Sequence, residues 1–118
     1  MDGVRIFSQE ELEEKLGKRY YEDKEKVGQM VKKDMEVILE GMTRQLFGNV
    51  GMRWMEEHFP FTYLSNELEI QFKEKWLEVL GCGVIQPKIL SDCGINPELV
   101  HGWAFGIHLL FFFLSPIC

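Results

Sequence analysis

The sequence predicts an α+β fold, in which a long helix accompanies an antiparallel sheet. Apolar residues recur three and four positions apart over residues 22–47, which is the spacing of an amphipathic helix. Residues 67–80 contain two strand-like arms around a short polar turn, and residues 102–106 are typical of a buried strand with glycine at both ends. The order of strand, long helix and several antiparallel strands therefore indicates the α+β class.

The composition suits one small globular domain or part of a larger one. The chain has 118 residues, of which 46% are hydrophobic and 27% charged. Its formal net charge of −6 makes it a poor nucleic-acid binder by charge alone, because phosphates are bound by Lys and Arg. Three cysteines without a CxxC pair argue against a disulfide framework or a zinc knuckle, so no bound metal or prosthetic group is predicted. This cysteine usage fits a reducing intracellular compartment.

The first residues predict a strand followed by a short helix. Val4 and Ile6, within residues 3–7, are typical of the end of a strand. Ser8 precedes Gln-Glu-Glu-Leu and suits the N-cap of a helix. Residues 17–23 are polar and predict a loop. The N-terminal segment has neither a basic region nor a long apolar stretch, so no targeting peptide is predicted in this chain.

The long helix is expected to begin near Glu22 and to end at Phe47, because Gly48 and Asn49 follow as a C-terminal stop. Lys and Glu fill the face opposite its apolar residues. Residues 52–56 predict a short strand.

Residues 67–72 alternate between apolar and polar, as in a half-buried strand. Residues 73–75 predict a hairpin turn, and residues 76–80 a second arm. Residues 85–90 then predict a short helix or a turn around Pro87.

Asn96 and Pro97 have the chemistry of a cap and a first helical position, so they predict the start of a further helix. Trp103, Ala104 and Phe105 follow in the buried strand over residues 102–106.

Aromatic residues in one extended segment predict a slot for a flat apolar group. Phe59 and Phe61 share a face because side chains two apart point the same way, and Pro60 between them stiffens the backbone. Two such rings can grip a flat ligand edge-to-face, with about 0.5–1.5 kcal/mol per pair beyond the burial of area.

The walls of this slot are predicted on two strands. Gly81 and Gly83 provide a floor without side chains, Ala104 a small wall, and Glu78 one carboxylate beside the floor. The same residues also suit ordinary core strands, and the pattern alone leaves both interpretations open.

Three strings, over residues 58–62, 76–84 and 102–106, resemble those of phenylalanine–tRNA ligases in content, order and spacing. The sequence of residues 76–84, Trp-Leu-Glu-Val-Leu-Gly-Cys-Gly-Val, is especially similar to the corresponding sequence of the single-chain mitochondrial and plastid enzymes. Residues 1–5 resemble the end of the motif 2 strand of that family. The resemblance covers residues 1–107.

This resemblance implies a partial class II synthetase catalytic domain over residues 1–107, an antiparallel sheet with flanking helices that runs from the end of motif 2 to the start of motif 3. The family activates phenylalanine with ATP and Mg²⁺ and transfers it to tRNA(Phe). The organellar type implies a monomer in the mitochondrial matrix or another organelle.

The resemblance also implies roles for individual residues. The substrate-binding positions that match are Asp2, Phe59, Phe61, Gly81, Gly83 and Ala104, and the position near the nucleotide and its Mg²⁺ is Glu78. Phe59 and Phe61 match the pair that contacts the phenylalanine ring, and Ala104 matches the back of the pocket. Asp2 stands where the family usually has the Glu that holds the substrate ammonium, so it is one methylene shorter.

The sequence departs from the family after residue 107. His108, Leu110 and Phe111 replace the glycine, glutamate and arginine of motif 3, and that arginine holds the ATP phosphates. Residues 108–118 are therefore interpreted as an aberrant hydrophobic tail, and no catalytic residue is expected to be intact. The apolar run over residues 109–114 is shorter than the about 20 residues of a membrane span, so no membrane attachment is predicted.

Two classes of function follow from these observations. The first is a fragment of the ligase that is inactive alone. The alternative is a non-catalytic phenylalanine-binding or regulatory protein that kept the aromatic slot.

Overall fold

The computed structural model describes residues 2–107. The elements in chain order are β1 (Asp2–Phe7), α1 (Gln9–Leu16), a short 3-10 turn (Tyr20–Glu22), α2 (Lys24–Phe47), β2 (Met52–Glu56), β3 (Thr62–Phe72), β4 (Lys75–Ile85), α3 (Pro87–Asp92) and β5 (His101–Ile107). The strands form one antiparallel sheet in the order β1-β5-β4-β3-β2. The predicted α+β class is confirmed.

The first turn of α1 is held by the capping box that its sequence predicts. The Ser8 side chain accepts from the Glu11 backbone N–H, and the Glu11 carboxylate accepts from the Ser8 backbone N–H. Arg5 of β1 forms an ion pair with Glu11 at 2.5 Å and stacks over the ring of Phe7. These contacts tie the helix to the end of β1.

Helix α2 covers one face of the sheet. Its apolar stripe is buried in the core with side chains of α1, β1 and the three central strands, and the stripe comprises Val27, Val31, Met35 and Leu39. The indole N–H of Trp103 donates to Asp34 at 2.9 Å, and that of Trp54 donates to Glu40 at 2.8 Å. These bonds satisfy polar groups that would otherwise be costly inside the helix–sheet interface.

The hairpin of β3 and β4 is longer than its sequence predicts. Its turn consists of Lys73 and Glu74, and both strands extend well beyond the predicted residues 67–80. A bulge interrupts the register between Tyr63 and Asn66 and places Leu64 at a φ of 49°. Sequence alternation does not reveal such a bulge, because the extra residue breaks the period of two.

The predicted helix at Asn96 is wrong. Residues 97–99 form a single turn, in which the Asn96 carbonyl accepts from the backbone N–H groups of Leu99 and Val100. The side chain of Asn96 caps the turn by accepting from the N–H of Glu98 at 3.0 Å. A second helical turn has no room, because β5 begins at His101.

The expectations for the tail over residues 108–118, including those for His108, Leu110 and Phe111, lie outside the described residues. Among residues 2–107, none of the helices combines the length and the apolar character that crossing a membrane requires. Over the same residues, no three or more His, Cys, Asp or Glu side chains gather closely enough to hold a metal ion.

Candidate functional site

A cavity of about 540 Å³ lies on the face of the sheet opposite α2. Side chains alternate along β4, so Leu80, Cys82 and Val84 point into the core while the glycines between them face the cavity side. Six of the seven predicted site residues line this cavity: Asp2, Phe59, Phe61, Glu78, Gly81 and Ala104. The exception is Gly83. Most of the cavity lining is apolar.

The ring of Phe59 lies directly over Gly81. A Cβ added at Gly81 would come within 2.8 Å of the Phe59 Cζ atom. Real Cβ atoms do not approach carbon this closely, so the ring occupies its position only because residue 81 has no side chain. The bare strand and the aromatic ring together form one wall of the cavity.

Gly83 is placed differently from the prediction. It does not line the cavity, because Thr62 and Ser65 cover it, and their hydroxyl oxygens lie 2.8 Å apart. A Cβ at Gly83 would meet Thr62 at 2.5 Å and Ser65 at 2.9 Å. This glycine makes room for the hydroxyl pair rather than for a bound molecule.

Phe61 and Ala104 both line the cavity. Phe61 is 64% exposed and forms the rim, whereas Ala104 pairs with Gly83 on one side and with Val4 on the other. Ala104 thus lies in the central part of the sheet, where a larger side chain would project into the cavity.

Asp2 lies at the end of the cavity that β1 forms. It pairs with Gly106, and a Cβ at Gly106 would lie 2.8 Å from the Asp2 Oδ1 atom. The carboxylate therefore leans across β5 toward the cavity, and the absence of a side chain at residue 106 permits this approach.

Two carboxyl groups face the cavity from adjacent strands. The hydrogen bond between the side chains of Glu67 and Glu78 raises the pKa of Glu67 to about 7, and partial burial and the charge of Glu78 add to the effect. Two carboxyl groups this close hold one proton between them near neutral pH.

Glu67 was missed in the sequence. The hairpin register could have revealed this residue. Glu69 pairs with Glu78, so Glu67, two residues before Glu69, is the diagonal neighbour of Glu78 on the same face of the sheet.

Cys82 takes no part in this chemistry. Its side chain is buried on the core side of β4, and burial raises the pKa of its thiol to about 12. The thiol is therefore protonated at neutral pH and is not a nucleophile.

The sheet, the long helix on one face and the aromatic cavity on the other agree with a class II aminoacyl-tRNA synthetase core. A comparison with protein families matches residues 26–109 to the tRNA synthetases class II core domain (F). The chain belongs to this family, and the predicted resemblance is confirmed.

Individual relatives are phenylalanine–tRNA ligases of organelles. The chain is 54% identical over 76 residues to the chloroplastic/mitochondrial enzyme of Arabidopsis thaliana, covering 64% of the chain and 17% of that protein. It is 42% identical over 120 residues to the mitochondrial enzyme of Dictyostelium discoideum, covering 92% of the chain and 26% of that protein. It is 36% identical over 125 residues to the mitochondrial enzyme of Mus musculus, covering 92% of the chain and 27% of that protein. The chain thus spans 27% or less of the length of these relatives.

Proposed function

We propose that this chain forms the phenylalanine-binding part of a phenylalanine–tRNA ligase core, and that its cavity receives the benzyl group of the amino acid. The intact protein would join phenylalanine to ATP as phenylalanyl adenylate and pass the aminoacyl group to tRNA(Phe). The observation that carries this proposal is the ring of Phe59 over the bare strand at Gly81, in a cavity whose rim is Phe61.

The shape of the cavity suits a benzyl side chain. A phenyl ring entering between Phe61 and Ala104 would meet Phe59 and form the edge-to-face contacts that aromatic rings prefer. An apolar site rejects an added hydroxyl only weakly, by about 100-fold. The wall at Ala104 therefore supplies a steric limit on para-substituted rings, tyrosine among them.

The charged groups of the cavity suit the polar parts of the substrates. The carboxylate of Asp2 would hold the ammonium group of phenylalanine at the β1 end. Glu78, with Glu67 beside it, offers hard oxygen ligands of the kind that Mg²⁺ uses together with substrate phosphates. When bound, the ion would neutralise charge on the ATP phosphates. For this role the carboxyl pair must release its shared proton.

Several properties of the whole protein belong to this proposal. The chain alone is proposed to be inactive, because Phe111 stands where the family has the arginine that holds the ATP phosphates. The organellar names of the relatives support a place in the mitochondrial matrix or another organelle, and the intact enzyme is proposed to act as a monomer.

A titration with L-phenylalanine tests the cavity. We expect weak binding that shifts the NMR signals of Phe59 and Ala104, with L-leucine binding less well because it lacks a ring. Gly81→Ala forces the Phe59 ring into the cavity and should weaken binding by about fivefold or more, since overpacking costs about 1–3 kcal/mol.

Gly41→Ala is the matched control. Gly41 lies on α2, and a Cβ there meets nothing within 4 Å. This substitution should leave the affinity unchanged and stabilise the helix by about 0.5–1 kcal/mol. Equal affinity of wild type and Gly81→Ala for L-phenylalanine, or no binding by wild type, would contradict the proposal.

A further inference from the structure

One residue donates to three consecutive carbonyl groups of the aromatic segment. The side-chain Nε2 of Gln86 donates to the carbonyl of Thr62 at 3.1 Å and to that of Pro60 at 3.4 Å. Its backbone N–H donates to the carbonyl of Phe61 at 3.0 Å. We call residues 59–62 the aromatic lip. Gln86 thus contacts the lip at three successive positions, although it lies outside the 540 Å³ cavity.

Gln86 directly precedes α3, where its side chain could cap the helix but does not. Gln86 is the N-cap of α3, and its carbonyl accepts from the backbone N–H groups of Ile89 and Leu90. N-cap residues are usually Ser, Thr, Asp or Asn, whose side chains bond to the helix. The Gln86 side chain makes no cap hydrogen bond and points to the lip instead. The amide is therefore placed for the lip and not for the helix.

The aromatic lip depends on contacts of this kind. It enters β3 ahead of the bulge at Leu64, where the backbone adopts a φ of 49° that a leucine rarely occupies. Within the lip, the Thr62 backbone N–H reaches the Phe59 carbonyl at a long 3.4 Å. Strand pairing reaches the lip at its last residue, where Thr62 pairs with Ile85, so the donors of Gln86 add hydrogen bonds at residues that the ladder does not hold.

We propose that Gln86 is a positioning residue for the phenylalanine cavity: it holds the aromatic lip so that the Phe59 ring lies over Gly81. It acts through the lip and does not touch the bound amino acid. The inference rests on the proposed function, because the lip matters for binding only if the cavity takes an aromatic substrate.

The chemistry of the amide sets the test. Gln86→Glu keeps the shape of the side chain, removes both N–H donors and places a carboxylate against carbonyl oxygens. We expect hydrogen exchange at the Thr62 amide to become roughly tenfold faster relative to its intrinsic rate, while exchange at the Leu68 amide in the middle of β3 stays unchanged. The affinity for L-phenylalanine should fall by a similar factor.

A pH series adds a readout that a merely structural role would not move. Below about pH 4 the carboxyl of Gln86→Glu is protonated and regains one O–H donor, so part of the Thr62 protection should return. Gln29→Glu is the matched control, because Gln29 is exposed on α2 and undergoes the same chemical change. Gln86→Met removes the donors without adding charge, and it should lose the protection at every pH.

Each outcome decides between alternatives. Equal loss of protection at Thr62 and Leu68 would mean that Gln86 only supports the fold, and unchanged exchange at Thr62 would mean that it does not hold the lip; either result overturns the inference. If Thr62 responds as expected but wild type does not bind L-phenylalanine, the positioning of the lip stands and the proposed function fails.

Discussion

At the scale of single residues, the carboxyl pair in the cavity has the clearest consequence for solution behaviour. Glu67 has a pKa of about 7 in the folded chain, against an ordinary value of 4.5. The causes are the hydrogen bond between its carboxyl group and that of Glu78 and the partial burial of Glu67. Between pH 4.5 and about pH 7, Glu67 is therefore more protonated in the folded chain than in the unfolded chain. The contribution of Glu67 to stability is therefore present below about pH 4.5 and is lost as the pH rises through about 7.

Replacing Glu67 by Gln should remove this dependence. We expect the stability of wild type to fall relative to Glu67→Gln as the pH rises from 5 to 8, measured by thermal unfolding at each pH. Burial lowers the pKa of His101, so this residue makes the stability rise with pH, opposite to the effect of Glu67. Both wild type and Glu67→Gln contain His101, so its effect cancels in the difference between them. Glu74→Gln in the exposed hairpin turn is the matched control, because it makes the same chemical change away from the cavity. A constant difference between wild type and Glu67→Gln across this range would refute the shared proton.

The sequence leads to residues that stand in a recognisable string, but it does not reveal neighbours that depend on the register of the strands. The strings led to Phe59 and Ala104, both of which line the cavity. Glu67 was missed because its partner Glu78 lies across a hairpin. The sequence predicts Gly83 in the floor of the cavity, but Thr62 and Ser65, at the bulge, cover it. Short-range spacing does not carry such information.

At the scale of elements, α2 is fixed to the sheet at two distant strands. Asp34 accepts from Trp103 of β5, and Glu40 accepts from Trp54 of β2. Strands β4 and β3 lie between β5 and β2, so the helix passes over most of the sheet. The helix was predicted because its apolar residues follow the helical period. Its two indole bonds were not, because they join residues far apart in the sequence.

Removing one of these acceptors should destabilise the chain. Trp103 is buried, and Asp34→Leu leaves its indole N–H without an acceptor, which costs about 1–3 kcal/mol of unfolding free energy. Asp34→Asn keeps an acceptor oxygen and should cost less than about 1 kcal/mol. Urea denaturation followed by tryptophan fluorescence measures both. Equal losses in the two variants would show that the charge of Asp34, and not its hydrogen bond, stabilises the packing.

At the scale of the whole molecule, the side chains that line the cavity include carboxylates but, among the described residues, no lysine, arginine or histidine that could hold a phosphate. The chain belongs to the class II core family and carries a net charge of −6. Electrostatic stabilisation of the reacting group is usually the largest catalytic contribution, and loss of one donor lowers the rate by about 10²–10³-fold. Binding and catalysis are therefore expected to separate in this chain.

An ATP–pyrophosphate exchange assay measures that separation. We expect no phenylalanine-dependent exchange above the blank from this chain, while the Arabidopsis thaliana phenylalanine–tRNA ligase serves as the active control. Exchange that requires L-phenylalanine and weakens in Gly81→Ala would show that the chain is a working catalyst after all.

Strand β1 determines what any additional strand would contact. Within residues 2–107, β1 and β2 each pair on one side only, so the sheet can be widened by hydrogen bonding at these two borders alone. Asp2 and Val4 of β1 line the cavity, whereas none of the lining belongs to β2. A neighbour joining β1 would become a further wall of the cavity and reshape it, but a neighbour joining β2 would leave the cavity untouched.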